Sequence, residues 1–202
     1  MVSSESVSEP GTPALSSPVG PAPGNGRLCA REIDTPLGTI IGLADSAGLR
    51  LLQFTDAPGL CALRERCRRS LGRPVESLPN RHLRKVEAQL AEYFAGRRTR
   101  FSVAVAPIGT PWQSTVWHQL FSLGWGETLT YEDLARALGR PTAARAVGSA
   151  VAANPILIIF PCHRVVPKAG GLGGYAAARW RKERLLSLER AGRGKEPTAT
   201  GG

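Results

Sequence analysis

The residues best suited to chemistry lie together in one short segment, 154–167, which reads Asn-Pro-Ile-Leu-Ile-Ile-Phe-Pro-Cys-His-Arg-Val-Val-Pro. A cysteine is a nucleophile only as its thiolate. Its ordinary pKa of about 8.5 leaves a few per cent ionised at neutral pH, so a base must take the proton. Of the four cysteines, Cys162 alone has a histidine beside it. We therefore predict a reactive Cys162 with His163 as its base, acting through a bridging water because adjacent side chains diverge.

A histidine in this role is usually held by a carboxylate. The last predicted helix, 181–190, offers Glu183 and Glu189, and sequence spacing does not choose between them. A bare Cys–His pair suits a cysteine hydrolase and a group-transfer enzyme equally well. The alternative is an inert core cysteine, the commonest fate of an unpaired one. The adjacent His163, the following Arg164 and a nearby glycine-rich loop disfavour that alternative.

The other cysteines and histidines do not have the spacing of a metal site. Neither a CxxC nor an HxxxH pattern occurs among them: Cys29, Cys61, Cys67, His82 and His118. We therefore expect no metal site and no disulfide framework, and a reducing cytoplasmic compartment. The longest apolar run, 150–160, is interrupted by an Asn-Pro pair and is shorter than the roughly 18 residues that a membrane helix needs. No membrane-spanning helix is expected.

Composition and charge indicate a globular protein with a polyanionic partner. The chain has 202 residues, 42% of them hydrophobic, which is enough for one domain or two small ones. Its net charge is +10, and because 1–26 contains Glu5 and Glu9 but no Lys or Arg, the rest carries +12. This surplus favours nucleic acid or an anionic membrane surface. The segments 1–26 and 191–202 are predicted to be a disordered leader and tail.

Short apolar runs separated by turn signals at 35–38 and 45–48 predict a β meander in the first half of the chain. Three strands are predicted: 28–34, 38–45 and 48–54. Helical spacing follows at 60–72 and, more strongly, at 81–96. In the segment 101–105, Phe-Ser-Val-Ala-Val, large apolar residues alternate with small ones, and this segment is predicted to close the sheet. Residues 27–106 are thus predicted to form a small α+β domain.

Beyond residue 107 the pattern changes to short helices. An apolar stripe predicts a helix over 112–123, Thr130 caps a second, and a third runs over 142–153 and stops before Asn154-Pro155. Short helix, tight turn and short helix is the helix-turn-helix pattern. The third helix is rich in small residues and has Arg145 as its only long polar side chain. This composition fits close core packing, entry into a nucleic-acid groove, or both on opposite faces.

The segment Pro161-Cys-His-Arg-Val165 resembles the signature of the O6-alkylguanine-DNA alkyltransferases, also called methylated-DNA–protein-cysteine methyltransferases. Further blocks are similar to those of this family in order and spacing: GTPWQSTVW (109–117), GETLTYEDLA (126–135), AARAVGSA (143–150) and KERLLSLE (182–189). The resemblance covers 107–189 and is weaker over the first domain.

The resemblance implies a mixed α/β (α+β) protein of two domains. Residues 27–106 would form a ribonuclease-H-like domain, and 107–190 a winged-helix-like domain holding both the helix-turn-helix and the cysteine. It also implies direct repair of double-stranded DNA by a monomer, without a cofactor and without a membrane partner. The alkyl group of O6-alkylguanine, methyl above all, would move irreversibly to Cys162, once per molecule. Activity on O4-methylthymine is left open.

The resemblance also assigns roles residue by residue. Cys162 would accept the alkyl group, His163 would be its water-mediated base, and Glu189 would orient His163. Asn154 would shape the turn beside the cysteine. Tyr131 would rotate the nucleotide phosphate and hydrogen-bond the flipped base, and Arg145 would fill the gap left in the duplex. The implied DNA-binding residues are Arg145, Tyr131, Ala144, Gly148 and Arg164. The implied substrate pocket comprises Trp112, Val165, Tyr175, Ala176 and Ala177.

The chain departs from the family in one place, and its residues disfavour two rival functions. The family usually places a small residue and then glycines after Tyr175, whereas this chain has Ala176, Ala177 and Ala178. The added methyl groups are expected to narrow the pocket against bulky alkyl groups. A DNA-binding damage sensor without catalysis would not need Cys162. A Cys–His hydrolase would not need Arg145 on a small-residue helix or so basic a body.

Overall fold

The computed structural model describes residues 26–192, and its first half is a four-stranded sheet with a helix on each face. The elements are β1 (Leu28–Ile33), β2 (Ile40–Asp45), β3 (Gly48–Phe54), α1 (Leu60–Leu71), β4 (Val75–Glu76) and α2 (Arg81–Phe94). The strand order is β3-β2-β1-β4; the first three strands are antiparallel and β4 is parallel to β1. The predicted meander and both predicted helices are confirmed.

The two faces of the sheet bury separate sets of apolar side chains, because alternate residues of a strand point to opposite faces. Leu43 and Leu51 share a core with Leu60 and Cys67 of α1. The opposite face joins a larger core that contains α2 and also the residues around Cys162. The sheet therefore packs against the segment around Cys162 through this second face.

The prediction that 101–105 forms a closing strand is wrong. Val105 makes one isolated bridge to Leu49, and Leu49 N donates to Ala104 O at 2.9 Å, without a continuous ladder. The alternation has another cause: Phe101, Val103 and Val105 are buried in the core while Ser102 is exposed. The strand that extends the sheet is β4, which at two residues is too short to produce a pattern.

The second half is built from short helices. The elements are α3 (Pro111–Phe121), β5 (Leu129–Thr130), α4 (Tyr131–Ala137), α5 (Ala144–Ala152), a 3₁₀ turn (Cys162–Arg164), β6 (Val165–Val166) and α6 (Arg179–Gly192). Thr110 and Thr130 cap α3 and α4 by accepting backbone N–H bonds at the third helical residue. The predicted helix-turn-helix is α4 and α5, and the parallel pair β5–β6 lies beside it.

The apolar segment before Cys162 is anchored to the sheet. Leu52 of β3 donates its N–H to Pro155 O at 2.9 Å and accepts from Leu157 N at 2.9 Å. The Gln53 amide donates to Asn154 O at 2.8 Å. The predicted burial of 156–160 is confirmed. The edge of β3 therefore fixes the chain that leads into the cysteine.

The predicted leader, apart from Gly26, and most of the predicted tail lie outside the described residues. The tail was predicted to begin at 191, but α6 continues to Gly192. Between residues 26 and 192, no helix combines the length and apolar character needed to cross a membrane.

Candidate active site

Cys162 begins the 3₁₀ turn that follows Pro161, and its side chain is buried. Asn154 folds the preceding loop around it. The Asn154 amide donates to Phe160 O at 2.9 Å and to the Cys162 sulfur at 3.1 Å, while its oxygen accepts from Ile156 N at 2.9 Å. One buried side chain thus closes the loop and directs an N–H at the sulfur.

The loop between Asn154 and Cys162 contains a strained residue. Ile158 has a φ of +70°, a left-handed conformation that is an outlier for a β-branched residue. Such a conformation costs about 1–3 kcal/mol and persists only where the surroundings impose it. Here Ile158 is buried, and Phe160 N closes the turn by donating to Ile156 O at 3.0 Å. The strain is the structural cost of bringing the chain back toward Asn154.

The environment of the sulfur favours the neutral thiol. Burial raises the pKa of Cys162 to about 11, against the opposing effects of the Asn154 amide, the Lys182 ammonium and nearby backbone N–H groups. A thiol with this pKa is almost entirely protonated at neutral pH. Attack by Cys162 therefore requires a proton acceptor close by.

His163 is fully buried, and its Nε2 lies 2.9 Å from Glu189 Oε1. Burial lowers the pKa of His163, in opposition to the Glu189 carboxylate, so the ring is neutral at pH 7. Because an ionised carboxylate only accepts hydrogen bonds, Nε2 carries the proton and Nδ1 bears the lone pair. Nδ1 is buried and has no hydrogen-bond partner among residues 26–192. The ring is thus held as a base with its accepting nitrogen free.

Glu189 connects several elements of the fold. Its Oε1 accepts from Tyr93 Oη at 2.7 Å and Arg164 Nη2 at 2.8 Å in addition to His163. Its Oε2 accepts from Arg164 Nε at 2.9 Å and Gly126 N at 3.1 Å. Burial alone would raise the pKa of Glu189, but the hydrogen bonds from His163 and Arg164 outweigh it and hold the pKa far below its usual range. Of the two predicted candidates, Glu189 contacts His163, and Glu183 is exposed on the other side of α6.

The prediction that Arg164 contacts DNA is corrected by the structure. The side chain is 5% exposed, its guanidinium binds Glu189 through two nitrogens, and Nη1 donates to Leu123 O at 2.5 Å. A guanidinium that leaves this arrangement would strand a buried carboxylate. Arg164 is therefore the internal counter-ion of Glu189.

Lys182 is a site residue that sequence reasoning missed. It is fully buried, and its ammonium donates to Val165 O at 2.6 Å and Gly174 O at 3.3 Å. Burial lowers its pKa, and the neighbouring Cys162 raises it. A signal was present: Lys182 and Glu189 share helical spacing with the apolar Leu185 and Leu186, which predicts that both polar side chains face the core.

The predicted DNA-binding residues other than Arg164 lie on the helix-turn-helix. Arg145 is exposed on α5, and Ala144 and Gly148 are half-buried. A Cβ placed on Gly148 would lie 3.8 Å from the Tyr131 ring, so this ring packs directly against α5. Burial raises the pKa of Tyr131, and the Cys162 thiolate raises it further. Tyr131 therefore packs against α5, senses the charge of the Cys162 thiolate and keeps its own proton.

The predicted pocket residues differ in their burial and in the elements that they contact. Val165 is buried and pairs with Leu129 in the β5–β6 ladder, and Ala177 is buried while Ala176 is exposed. Burial and then the Cys162 charge raise the pKa of Tyr175, whose hydroxyl is buried without a partner among the described residues. Trp112 is half-buried against α5, where its Nε1 donates to Ala146 O at 3.2 Å.

Comparison with known proteins agrees with both halves of the fold. Residues 30–107 match the family model of the 6-O-methylguanine DNA methyltransferase ribonuclease-like domain, and residues 111–191 match that of its DNA binding domain. The chain belongs to the 6-O-methylguanine DNA methyltransferase family. The predicted family and the predicted fold class, a ribonuclease-like domain followed by a DNA-binding domain, are confirmed. The predicted boundaries of these domains stay predictions.

Individual relatives are similar over most of their length. A methylated-DNA–protein-cysteine methyltransferase of Methanosarcina barkeri is 38% identical over 158 residues, covering 78% of this chain and 94% of that protein. The Mycobacterium leprae protein of the same name is 39% identical over 161 residues, with shares of 79% and 91%. The crystal structure of Mycobacterium tuberculosis OGT in complex with DNA has a TM-score of 0.71 and 35% identity, covering 81% of this chain and 94% of that one.

Proposed function

We propose that this protein repairs duplex DNA by transferring the alkyl group of O6-alkylguanine to the Cys162 sulfur, as a methylated-DNA–protein-cysteine methyltransferase. One observation carries the proposal. The buried Cys162 thiol accepts a hydrogen bond from the Asn154 amide, and the adjacent His163 is neutral and is held at Nε2 by Glu189. Membership of the family and the DNA complex of a 35% identical relative support it.

The first step is proton removal. A water between Cys162 and His163 Nδ1 would carry the thiol proton to the imidazole, and Glu189 would stabilise the resulting imidazolium. The Asn154 amide and the Lys182 ammonium then favour the thiolate, since each lowers the pKa of Cys162. Burial keeps this thiolate poorly solvated and therefore reactive.

The second step is displacement at the alkyl carbon. The sulfur forms a bond to this carbon as the carbon–O6 bond breaks, and the electron pair of that bond passes to the guanine ring. Guanine leaves readily only if its ring gains a hydrogen bond or proton as charge develops. Tyr131, which retains its hydroxyl proton, would donate that bond. The proton lost by the thiol balances the proton that the released guanine gains.

The DNA must present the damaged base outside the helix. Base flipping costs a few kcal/mol of stacking, least for a weakened pair. We assign insertion into the gap to Arg145, which is exposed on α5. The small residues of α5, Ala144 and Gly148 among them, let its backbone approach the groove, and the +12 body would hold phosphates without sequence preference.

The product limits each molecule to one reaction. A thioether is not hydrolysed, so Cys162 would remain alkylated and the protein would act stoichiometrically, as a monomer and without a cofactor. We place this reaction in the cytoplasm, on the chromosome. Between residues 26 and 192 all four cysteines are free thiols, which fits a reducing compartment.

The proposal is tested with duplex DNA bearing O6-methylguanine labelled in the methyl group. We expect label on Cys162 at no more than one equivalent per protein. Cys162→Ala should abolish labelling and leave DNA affinity unchanged. Cys61→Ala, which removes an exposed thiol, is the matched control and should react normally. Many turnovers per molecule, or label absent from the protein, would contradict the proposal.

The role of Arg145 has its own test. Arg145→Ala should slow repair of a paired lesion by about 5- to 150-fold, which corresponds to a loss of about 1–3 kcal/mol for the missing insertion, but leave reaction with the free O6-alkylated base unchanged. Arg64→Ala removes an exposed arginine on α1 and serves as the charge-matched control. Equal losses with both substrates would refute the insertion role.

A further inference from the structure

The first domain contributes a side chain to the buried carboxylate of the site. Tyr93 lies in α2 and is fully buried. Its hydroxyl donates a hydrogen bond to Glu189 Oε1, with 2.7 Å between the two oxygens. The two residues are 96 positions apart in sequence. Burial and the Glu189 charge raise the pKa of Tyr93 well above its usual value, so the hydroxyl remains a donor.

Tyr93 donates to the same Glu189 oxygen, Oε1, that binds His163. Glu189 Oε1 receives Tyr93 at 2.7 Å, Arg164 at 2.8 Å and His163 at 2.9 Å. Each donated hydrogen bond withdraws negative charge from a carboxylate oxygen and weakens it as an acceptor for the others. Tyr93 therefore reduces the charge with which Glu189 stabilises a protonated His163.

The ring of Tyr93 is fixed independently of its hydroxyl. Its centroid lies 5.0 Å from that of Trp125, 5.3 Å from Phe94 and 5.4 Å from Phe101. Trp125 immediately precedes Gly126, whose N–H binds the other oxygen of Glu189. The aromatic cluster thus aims the hydroxyl, and phenylalanine at 93 would keep the packing and lose only the bond.

We propose that Tyr93 is a positioning residue of the alkyl-transfer site: through its hydrogen bond to Glu189 Oε1 it sets the basicity of His163. The first domain would thereby complete a site whose reactive residues lie in the second. The expected change in the transfer rate rests on the proposed function. The expected change in the basicity of His163 rests on the geometry alone.

Other charged and titratable groups face the pair and stay in place in the test. They are Arg164 and Cys162 on the 3₁₀ turn, Lys182 on α6 and Tyr175 in the loop before α6. Arg164 and Lys182 lower the pKa of His163, and Glu189 raises it. Removing the Tyr93 hydrogen bond therefore strengthens only the effect of Glu189, which raises the pKa of His163.

The experiment uses Tyr93→Phe in the full chain. We expect the pKa of His163, followed by NMR with labelled histidine, to rise by about 0.5–1 unit, as one hydrogen bond changes an equilibrium by about three- to tenfold. The acid limb of the pH–rate profile for transfer from methylated duplex should move to higher pH by the same amount. His82 and His118 are internal references, because neither contacts Glu189.

Ser102→Ala is the matched control. It removes the acceptor of the Gln89 amide, another hydrogen bond of α2, at a site that does not contact Glu189. This variant should lower thermal stability without moving the His163 pKa or the pH profile. An unmoved His163 pKa in Tyr93→Phe, with or without a fall in melting temperature, would overturn the proposal. If the wild type transfers no label, the proposed function fails and the NMR titration alone decides the role of Tyr93.

Discussion

Replacing Glu189 by Gln tests the central arrangement of the site most directly. Glu189 is fully buried and accepts hydrogen bonds from His163, Tyr93, Gly126 and, through two nitrogens, Arg164. Glutamine keeps the shape, but it removes the negative charge and turns one acceptor into an NH₂ donor. At least one existing donor must then face another donor.

The expected loss of stability is large. Breaking a buried ion pair from one side costs about 3–5 kcal/mol, because the remaining charge is stranded. Small proteins unfold with a total free energy of about 5–15 kcal/mol. For a folded unit of this size each kcal/mol lowers the melting temperature by about 2–4 °C, so Glu189→Gln should lower it by about 6–20 °C.

The assays separate stability from chemistry. Urea unfolding gives the free-energy loss, and single-turnover transfer from methylated duplex at a temperature where the variant is folded gives the rate. We expect transfer to slow by about 100-fold or more, the usual contribution of a general base. Affinity for undamaged duplex should not change, since Glu189 is buried. Glu183→Gln, an exposed carboxylate on the same helix, should change neither stability nor rate.

A double variant isolates the contribution of the ion pair. Adding Arg164→Met to Glu189→Gln removes the stranded cation and should recover at least half of the lost stability, while transfer stays slow because His163 still lacks its carboxylate. Two results would refute the reasoning: a stability loss below about 1 kcal/mol for Glu189→Gln, the value of one ordinary hydrogen bond, or a double variant no more stable than the single one.

Three further predictions concern the thiol and the pocket loop. The rate of Cys162 modification by iodoacetamide should keep rising up to about pH 11, the pKa that burial gives this thiol. Ala178→Gly should raise the unfolding free energy by about 0.5–1 kcal/mol, because its φ of +80° costs alanine about 1–2 kcal/mol and glycine adds only about 0.4–1 kcal/mol of unfolded-state entropy. Arg181→Met should destabilise by about 1–3 kcal/mol, since Arg181 binds Asp56 and donates to the pocket loop at Ala177 O. The pKa of Asp56 is lowered mainly by its hydrogen bond from Arg181. The stability difference between wild type and Arg181→Met should therefore be largest above about pH 4 and become smaller as the pH falls below that value.

Controls for these experiments are available in the same chain. Peptide mapping isolates the Cys162 peptide from those of the other cysteines, and a modification rate that levels off well below pH 11 would contradict the raised pKa of Cys162. Ala177→Gly alters a buried neighbour without a left-handed φ and should destabilise where Ala178→Gly stabilises. A constant difference between wild type and Arg181→Met from pH 3 to 7 would mean that the Asp56 carboxylate contributes nothing to it.

Local sequence pattern predicted most of the helices and strands. Apolar runs between turn signals predicted the meander over 28–54, and threonine caps with proline and glycine stops predicted the helix-turn-helix. Alternation misled at 101–105, where alternating burial occurs without a ladder. Alternation records which side chains are buried, and several backbone arrangements satisfy it.

The destination of polar side chains was harder to predict. Arg164 follows the Cys–His pair and was expected on the DNA surface, yet it is buried as a counter-ion. Lys182 and Tyr93 had no assigned role and lie inside the site. A charged residue in a helix or turn is compatible with either solvent or a buried partner, and only the position of that partner in three dimensions decides.

The sequence by itself determined that Cys162 and His163 are neighbours in a buried turn, that small residues and Arg145 share one helix, and that the chain resembles the alkyltransferases. These features are local, so covalent order and helical or strand periodicity suffice for them. Spacing left two carboxylates open as the partner of the base, and the resemblance assigned Glu189. Tertiary structure decided which imidazole nitrogen is free and how strongly the thiol holds its proton. Glu189 is 26 residues from His163, and Tyr93 is 96 residues from Glu189. Hydrogen bonds and burial act over a few ångströms in space, and distances along the chain do not reveal which groups come that close.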